Sequence, residues 1–363
     1  MMFSQPITQF GSGTLMVMAG GTGGHVYPAM AVADYMKEHG WTIVWLCTEG
    51  GMENRLIEGK DYKKAMISMR GVRGKGLLGW LLLPFKLAKA LQQSFASIRL
   101  HQPNVVLGMG GFAAFPGGLM AKILGKPLVI HEQNSIAGLT NKSLSLIANR
   151  ILAAFPSAFG DGAELVGNPV RAEITQLPAP EQRYGQRTGK LNLLVVGGSL
   201  GAQALNEVLP KALANFPKDT FNIVHQAGEK HIAALQANYQ AASVAADTKA
   251  FINNMAEQYA WADVVICRAG ALTVAELACV GVASILVPFP HAVDDHQTYN
   301  AKYLSDAGAA QLIQQTAFNV EKATEMLRNL TREICLNMAV KAKQLGKPDA
   351  TQSVAKICME TAR

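Results

Sequence analysis

The residues best placed to do chemistry lie near the start of the chain, where residues 19–25 read Ala-Gly-Gly-Thr-Gly-Gly-His. They follow an apolar run at 15–18 and precede a helical pattern that begins near Pro28. A strand, a glycine turn and a helix start expose backbone N–H groups at the positive end of the helix dipole, which favours phosphates and other anionic groups. His25 closes this loop, where it serves either as a structural hydrogen-bonding residue or as an acid–base group that works near neutral pH.

A second glycine turn, Gly197-Gly198-Ser199, follows the apolar run 193–196 in the second half of the chain. This recurrence predicts two Rossmann-like halves that face each other across a cleft. The first loop does not match the G-x-G-x-x-G fingerprint, because the third glycine position, counted from Gly21, falls on Val26. A nicotinamide or flavin dehydrogenase is therefore disfavoured.

Polar residues follow two further apolar runs. His131-Glu132-Gln133-Asn134 comes after the predicted strand 128–130, and it is either a ligand site at the carboxyl end of that strand or a capped turn. In the second half, residues 268–276 follow the predicted strand 264–267, with small residues that can admit a diphosphate at a helix start. Glu276 either accepts hydrogen bonds from ribose hydroxyls or faces solvent. Gln297 heads the next predicted helix, and we expect it to contact sugar hydroxyls.

A glycine-rich stretch also follows the predicted strand 105–108, with glycines at 108, 110 and 111 and again at 117 and 118. The sequence leaves two interpretations of it open: the loop admits a bulky substrate, or it packs tightly against a helix.

The order of elements predicts an α/β fold with parallel sheets. Short apolar runs alternate with helical patterns in both halves, as in doubly wound proteins. The predicted strands are 14–18, 42–46, 105–108, 128–130, 150–153, 193–196, 221–225, 264–267 and 284–286. The predicted helices are 28–38, 77–99, 205–216, 257–261, 272–280, 296–307 and 348–363.

Length and composition predict a two-domain globular protein. The chain has 363 residues, which exceeds the usual limit of about 250–300 for a single core. Its five cysteines form no C-x-x-C pair, so a disulfide framework or zinc site is disfavoured and a reducing compartment is expected. The longest apolar run, 76–85, has ten residues, whereas a membrane-spanning helix needs about 20. The chain is therefore not expected to cross a membrane.

Positive charge is concentrated in the first half. Residues 1–170 carry 15 Lys and Arg against 9 Asp and Glu, and no acidic residue lies between Tyr62 and His131. This asymmetry predicts an anionic partner. Apolar residues flanked by basic ones in the segment 70–99 indicate either a membrane patch or a buried helix with a basic face. Nucleic acid is disfavoured, since the aromatic residues are not interleaved with basic ones. The expected patch consists of Leu77, Trp80, Leu81, Phe85, Lys75, Lys86 and Lys89.

These motifs occur in one order along the whole chain. They are residues 15–25, Gly108-Met109-Gly110-Gly111, 131–134, Gly138-Leu139-Thr140-Asn141-Lys142, Val166-Gly167-Asn168-Pro169-Val170-Arg171, 196–199, 267–273 and Pro348-Asp349-Ala350-Thr351. In this order they resemble the MurG family of bacterial N-acetylglucosaminyltransferases. Phe112, where some members carry Tyr, and His296, where some carry a second Gln, depart from the pattern and put fine details of sugar recognition in question.

The resemblance implies a GT-B fold of two Rossmann-like domains. It implies an N-terminal domain of residues 1–170 plus 348–363 that binds acceptor and membrane, and a C-terminal domain of residues 171–347 that binds the donor UDP-GlcNAc. It further implies inversion at the sugar carbon, with neither a cofactor nor an essential metal. The implied donor-binding residues are Thr22, Gly23, Gly24, Asn134, Arg171, Ser199, Ile252, Ala271, Leu272, Thr273, Val274, Ala275, Glu276 and Gln297.

The implied reaction moves GlcNAc to the 4-hydroxyl of a muramoyl group on undecaprenyl-pyrophosphoryl-MurNAc-pentapeptide, which converts lipid I to lipid II in cell-wall synthesis. The expected location is peripheral, at the cytoplasmic face of the bacterial inner membrane, with cell-wall synthesis proteins as expected partners. The acceptor hydroxyl must lose a proton, and His25 and Glu132 are the two candidates for the base. Two alternative functions remain, a UDP-sugar epimerase or hydrolase of similar fold and a non-catalytic scaffold that binds a nucleotide sugar or a membrane.

Overall fold

The computed structural model describes residues 11–69, 83–198 and 201–362. The chain divides into two compact units. Unit 1 comprises Met1–Pro169 and Asp349–Arg363, and unit 2 comprises Val170–Pro348.

Unit 1 contains a seven-stranded sheet in which every neighbouring pair of strands is parallel, in the order β3-β2-β1-β4-β5-β6-β7. The strands are β1 (Thr14–Met18), β2 (Thr42–Thr48), β3 (Lys63–Ile67), β4 (Val105–Gly108), β5 (Leu128–Glu132), β6 (Arg150–Ala153) and β7 (Glu164–Leu165). The described helices of this unit are α1 (Gly23–Glu38), α2 (Glu53–Leu56), α3 (Leu83–His101), α4 (Ala114–Ile123), α5 (Leu139–Ser145) and the last helix of the chain, α15 (Ala350–Thr361).

Unit 2 contains a six-stranded parallel sheet in the order β10-β9-β8-β11-β12-β13. Its strands are β8 (Leu191–Val196), β9 (Phe221–Gln226), β10 (Asp247–Lys249), β11 (Val264–Cys267), β12 (Ala283–Leu286) and β13 (Ala310–Leu312). The described helices are α6 (Ala172–Thr175), α7 (Pro180–Tyr184), α8 (Gln203–Leu213), α9 (Ile232–Ala241), α10 (Met255–Trp261), α11 (Ala271–Val280), α12 (His296–Ser305), α13 (Val320–Arg328) and α14 (Arg332–Leu345).

The central strands are apolar along their whole length because helices cover both faces of each sheet. Residues 15–18 of β1 and the whole of β4 are buried. In unit 1, α1 and α15 contribute Val26, Val354 and Cys358 to one face, and α3 and α4 contribute Ala90 and Ala121 to the other. Among the described residues, no helix combines the length and the apolar character needed to cross a membrane.

The strand order places a reversal in each sheet. In unit 1 the chain runs outward from β1 through β2 to β3 and then continues on the other side of β1 with β4. In unit 2 the same reversal separates β8 and β9 from β11. Ligands of open α/β sheets bind at the carboxyl ends of the strands beside such a reversal. Both glycine turns, after β1 and after β8, lie at these positions.

Two predictions about helices were wrong in their details. The first helix begins at Gly23, so Pro28 lies inside it and His25 belongs to its first turn, not to the loop. Residues 115–118 are part of α4, although their Pro and glycines suggested a loop. The glycines fit there because a Cβ at Gly117 would lie 2.2 Å from the Met18 sulfur, and one at Gly118 would lie 2.8 Å from a methyl group of Leu144.

Candidate active site

The turn after β1 brings the start of α1 to the carboxyl end of the sheet. Gly21 has φ +86°, a conformation that favours glycine. Thr22 is the residue before the helix, and its carbonyl accepts hydrogen bonds from the backbone N–H groups of His25 and Val26. Its own side chain does not cap the helix. The backbone N–H groups of Gly23 and Gly24 lie in the first turn, where N–H groups lack acceptors within the helix. These three predicted donor-binding residues therefore form one helix start.

His25 is the third residue of α1 and its side chain is partly buried. Its Nδ1 lies 2.9 Å from Oε1 of Gln133, in the loop after β5. Among the described residues, no hydrogen-bond partner approaches the other ring nitrogen, Nε2. The hydrogen bond to Gln133 therefore fixes one nitrogen of the ring.

Two glycines after β4 pack directly against this helix start. A Cβ at Gly110 (φ +94°) would lie 2.9 Å from Cε1 of the His25 ring. A Cβ at Gly111 (φ +88°) would lie 2.4 Å from the carbonyl oxygen of Gly20. Of the two interpretations of this loop, the structure supports close packing at these two positions.

Glu132, the other candidate base, is buried and accepts four hydrogen bonds. Oε1 receives the backbone N–H of Asn134 at 3.0 Å and its side-chain amide at 3.2 Å. Oε2 receives the backbone N–H of Gly138 at 3.0 Å and the side-chain amide of Asn141 at 2.9 Å. These bonds hold the loop between β5 and α5. Proton transfer to Glu132 would require breaking at least one of them, so His25 is the better placed of the two candidates.

In unit 2 the structure brings two side chains, those of Tyr259 and Arg171, to the carboxylate of Glu276. This carboxylate is 7% exposed, which excludes the solvent-facing interpretation. Oε2 accepts a hydrogen bond from the Tyr259 hydroxyl at 3.0 Å. Oε1 lies 3.6 Å from a guanidinium nitrogen of Arg171, the residue before α6. Two predicted donor-binding residues, Arg171 and Glu276, are thus neighbours.

Burial governs the electrostatics of this cluster. It raises the pKa of the Glu276 carboxyl, while the nearby Arg171 guanidinium and the hydrogen bond from Tyr259 oppose that rise. Burial also raises the pKa of the Tyr259 hydroxyl, and the Glu276 charge adds to the effect. Tyr259 therefore stays protonated and donates to the carboxylate.

The helix that carries Glu276, α11, begins directly after the turn that follows β11. Gly270 precedes its first residue and offers no side chain to cap the helix. The backbone N–H groups of Ala271, Leu272 and Thr273 lie in the first turn, where a diphosphate can accept their hydrogen bonds. The side chain of Val274 is 0% exposed and belongs to the core. A donor role for Val274 is therefore confined to its backbone, and Ala275 is half-buried one residue further on.

The remaining predicted donor residues are spread over unit 2 and the loop after β5. Oε1 of Gln297, near the start of α12, accepts a hydrogen bond from the backbone N–H of Phe289 at 2.9 Å. Its side-chain amino group is the part that can contact a ligand. Ile252 is buried between β10 and α10. Asn134 donates to Glu132. Ser199 lies outside the described residues.

Of the expected membrane patch, Lys75, Leu77, Trp80 and Leu81 lie outside the described residues. Phe85, Lys86 and Lys89 lie in the first turns of α3. The Phe85 side chain is 76% exposed, so it is not a core residue. Lys89 is exposed and lies four residues further along the same face of the helix.

Sequence reasoning missed two residues that organise these clusters. Gln133 contacts His25, and Tyr259 contacts Glu276. Gln133 carried a weak signal, because it lies in the polar run after an apolar strand. Tyr259 carried none, since only the packing of α10 against α11 brings it to Glu276. Within the described ranges, no group of three or more His, Cys, Asp or Glu side chains is arranged to hold a metal ion.

Comparison with known proteins gives matches over both units. The model of the glycosyltransferase family 28 N-terminal domain matches residues 15–153. The model of the glycosyltransferase family 28 C-terminal domain matches residues 192–354.

Two similar relatives carry the same name, UDP-N-acetylglucosamine–N-acetylmuramyl-(pentapeptide) pyrophosphoryl-undecaprenol N-acetylglucosamine transferase. The protein from Dechloromonas aromatica is 55% identical, over 97% of this chain and 100% of the relative. The protein from Cupriavidus metallidurans is 55% identical, over 96% of this chain and 98% of the relative.

Solved structures agree with this relationship. The crystal structure of Acinetobacter baumannii MurG matches with a TM-score of 0.86 and 42% identity, over 96% of this chain and 99% of that one. A UDP-GlcNAc 2-epimerase from Neisseria meningitidis matches with a TM-score of 0.63 and 13% identity, over 96% of this chain and 99% of that one, which shows a shared fold alone. This chain therefore belongs to glycosyltransferase family 28, among its UDP-N-acetylglucosamine transferases of peptidoglycan synthesis, and has a fold of the GT-B type.

Proposed function

We propose that this chain is an inverting glycosyltransferase that moves GlcNAc from UDP-GlcNAc to the 4-hydroxyl of the muramoyl group of undecaprenyl-pyrophosphoryl-MurNAc-pentapeptide. The reaction converts lipid I to lipid II in peptidoglycan synthesis. The observation that carries the proposal is the 55% identity to transferases of that name over almost the whole chain.

In the proposed mechanism, His25 acts as the general base. Its Nε2 removes the proton from the acceptor hydroxyl as the oxygen attacks the anomeric carbon of GlcNAc. The bond between that carbon and the diphosphate oxygen breaks, UDP leaves with the bonding electrons, and the configuration inverts. The partly buried ring, fixed through Nδ1 by Gln133, supports this role. A positioned base contributes about 10²–10⁴-fold to the rate of such a step.

Unit 2 is proposed to bind the donor. Negative charge grows on the diphosphate as the sugar bond breaks, and the backbone N–H groups at the start of α11 stabilise that charge. The Glu276 carboxylate is proposed to accept hydrogen bonds from the ribose. Its position on α11, five residues after Ala271, supports this pairing of ribose and diphosphate sites on one helix. The amino group of Gln297 is proposed to contact sugar hydroxyls.

Unit 1 is proposed to bind the acceptor and to work at the cytoplasmic face of the inner membrane. The acceptor in this reaction is a lipid, so its muramoyl group lies close to a bilayer surface. The exposed Phe85 and the basic residues Lys86 and Lys89 support membrane contact, because an apolar residue beside lysines suits the interface of an anionic bilayer.

The alternative, a UDP-sugar epimerase or hydrolase, is not favoured. The epimerase structures of similar fold are only 12–13% identical to this chain, whereas the transferases are 55% identical. The reactions also differ in a measurable way. An epimerase or hydrolase consumes UDP-GlcNAc alone, and a transferase requires the acceptor.

The test is UDP release from UDP-GlcNAc, measured with and without a polyprenyl-pyrophosphoryl-muramoyl-pentapeptide acceptor. We expect release only when the acceptor is present. Release of UDP without acceptor would indicate a hydrolase, and conversion of UDP-GlcNAc to a second UDP-sugar without acceptor would indicate an epimerase. Either result would contradict the proposal.

A further inference from the structure

We propose that Gln133 and His131 are positioning residues, which hold His25 in the tautomer that carries its proton on Nδ1 and so keep Nε2 as the proton acceptor. This inference deepens the proposed function and rests on it for the catalytic role of His25. It concerns a chain of hydrogen bonds that starts at a backbone carbonyl in unit 1 and ends at the catalytic ring.

The chain of bonds starts at the carbonyl oxygen of Gly167. It lies 2.9 Å from Nε2 of His131, whose side chain is completely buried. A carbonyl oxygen only accepts, so Nε2 of His131 carries a proton. Burial lowers the pKa of His131 to about 4, so the neutral ring has no second proton. Nδ1 of His131 is therefore an acceptor.

The side-chain amide of Gln133 contacts two hydrogen-bond acceptors of His131. Its Nε2 lies 3.1 Å from the accepting Nδ1 of His131 and 3.2 Å from the His131 carbonyl oxygen. Both neighbours accept hydrogen bonds, so the amino group must face them. These two acceptors fix the orientation of the amide from the hydrogen-bond network. The amide oxygen of Gln133 must consequently point the other way, toward His25.

The last bond sets the tautomer of His25. The Gln133 Oε1 can only accept, and it lies 2.9 Å from Nδ1 of His25. Nδ1 therefore donates, and in the neutral ring Nε2 holds the lone pair. Gly110 packs against the edge of the same ring, where a Cβ would lie 3.0 Å from Nδ1. The ring is thus held both by a hydrogen bond and by contact with the backbone.

This arrangement has a chemical consequence for the transfer reaction. A histidine acts as a base only through its unprotonated nitrogen, and the partner of the other nitrogen decides which nitrogen that is. An imidazole in the wrong tautomer would present an N–H to the acceptor hydroxyl and could not remove its proton. Gln133 prevents this without adding a charge, unlike the carboxylate of a Ser-His-Asp triad.

The first measurement is the tautomer of His25, read by NMR of protein labelled with ¹⁵N at its histidines. The two nitrogens of a neutral ring give distinct shifts according to which one carries the proton. The His25 signals are assigned by their loss in His25→Gln. We expect the neutral ring of His25 in the wild-type protein to carry its proton on Nδ1 and none on Nε2. A His25 ring with its proton on Nε2 would overturn the proposal.

Two variants of Gln133 distinguish the effect of its acceptor oxygen from the effect of its side-chain volume. Gln133→Leu removes the acceptor, so we expect His25 to lose its Nδ1–H tautomer and kcat to fall about 10–100-fold, as for other partners that orient a functional histidine. The KM for UDP-GlcNAc should not change. Gln133→Glu keeps an oxygen for the Nδ1–H of His25 but loses the amino group that donates to His131, so the His25 tautomer should persist while the melting temperature falls. Retention of the Nδ1–H tautomer in Gln133→Leu would contradict the proposal.

Tyr239→Phe serves as the matched control. It removes one hydrogen bond to a buried imidazole, that of His225 in unit 2, where the Tyr239 hydroxyl lies 2.9 Å from Nδ1. We expect it to affect stability without affecting kcat or the His25 signals.

The two proposals fail in different ways. If Gln133→Leu changes the tautomer but leaves kcat unchanged, His25 is not the base, and the catalytic part of both proposals is wrong. If the wild-type tautomer is the other one, only the positioning role fails.

Discussion

At the scale of single residues, the hydrogen-bond partners of His25 and Glu132 distinguish these two candidate bases more clearly than their side-chain types do. Glu132 accepts four hydrogen bonds from its own loop, whereas His25 makes one through Nδ1. The sequence could not separate them, because both follow apolar strands and both suit acid–base chemistry. Only the fold of residues 132–141, from the end of β5 into α5, shows that Glu132 is surrounded by donors.

Replacement of His25 and of Glu132 should therefore give different results. We expect His25→Ala to lower kcat about 10²–10⁴-fold, with little change in the melting temperature, because the ring is partly exposed and makes one hydrogen bond. Glu132→Gln places an amino group against backbone or side-chain donors. It should lower stability by about 1–3 kcal/mol, measured by thermal unfolding. A Glu132→Gln protein of normal stability and abolished turnover would favour Glu132 as the base.

Glu276 offers a test of the donor site. We expect Glu276→Ala to weaken UDP-GlcNAc binding by about 1–3 kcal/mol, because it removes the proposed acceptor of the ribose hydroxyls. Tyr259→Phe is the matched control, since it removes the neighbouring hydrogen bond to the same carboxylate and leaves the carboxylate in place. Calorimetric titration should show near-normal donor affinity for the control. Equal affinities of Glu276→Ala and wild type would remove Glu276 from the donor site.

At the scale of elements, the sequence predicted the buried strands well and the edge strands not at all. β1, β4, β6 and β11 have the predicted bounds, because a strand buried on both faces is apolar throughout. The missed strands are β3, β7, β10 and β13. They include the outermost strands of both sheets, are short or partly polar, and become strands only through pairing with a neighbour. The local pattern of apolar and polar residues does not indicate which strand will pair with a neighbour.

The glycine turn after β4 packs against the turn after β1, and this contact gives a testable prediction. Gly111→Ala places a Cβ against the backbone of Gly20, which cannot move without shifting the turn that leads to Thr22 and His25. We expect a large loss of activity. Gly125→Ala is the matched control, since Gly125 also has positive φ (+66°) but has open space around it. It should cost only about 1–2 kcal/mol of stability from the backbone conformation and retain normal turnover. Equal turnover of the two variants would contradict this account.

The start of α3 provides the test of membrane contact. We expect Phe85→Ser with Lys86→Glu to weaken binding to anionic vesicles in a flotation assay, since each basic contact contributes about 1 kcal/mol near such a surface. The matched control is Leu100→Ser with Arg99→Glu, at the other end of the same helix, where Leu100 is 77% exposed. The control should float with vesicles as wild type does. Equal loss of binding by both variants would indicate a general effect of charge.

At the scale of the whole molecule, each unit buries a neutral histidine, and this predicts sensitivity to acid. Burial lowers the pKa of His131 to about 4 and that of His225 to about 3, from an ordinary value of 6.5. Below pH 6.5 the unfolded chain takes up protons that the folded chain excludes. The free energy of unfolding should therefore fall as the pH drops from about 6.5 to about 4, by roughly 3 kcal/mol for His131 alone.

Thermal unfolding across this pH range measures the effect. We expect His225→Gln to show a weaker pH dependence than wild type, whatever its absolute stability, because one of the two buried histidines is absent. His39→Gln, which changes an exposed histidine, should keep the wild-type dependence. An unfolding temperature in wild type that does not change over this range would contradict the prediction.

The proposed transfer of GlcNAc to the lipid-linked acceptor is tested most directly by a measurement that follows the sugar itself. UDP-GlcNAc labelled in its GlcNAc is incubated with the polyprenyl-pyrophosphoryl-muramoyl-pentapeptide acceptor, and mass spectrometry and NMR follow the acceptor. We predict one labelled GlcNAc per acceptor, one UDP released for each, and a β linkage to the muramoyl 4-hydroxyl. Labelled free GlcNAc, an α linkage or an unchanged acceptor would contradict the account.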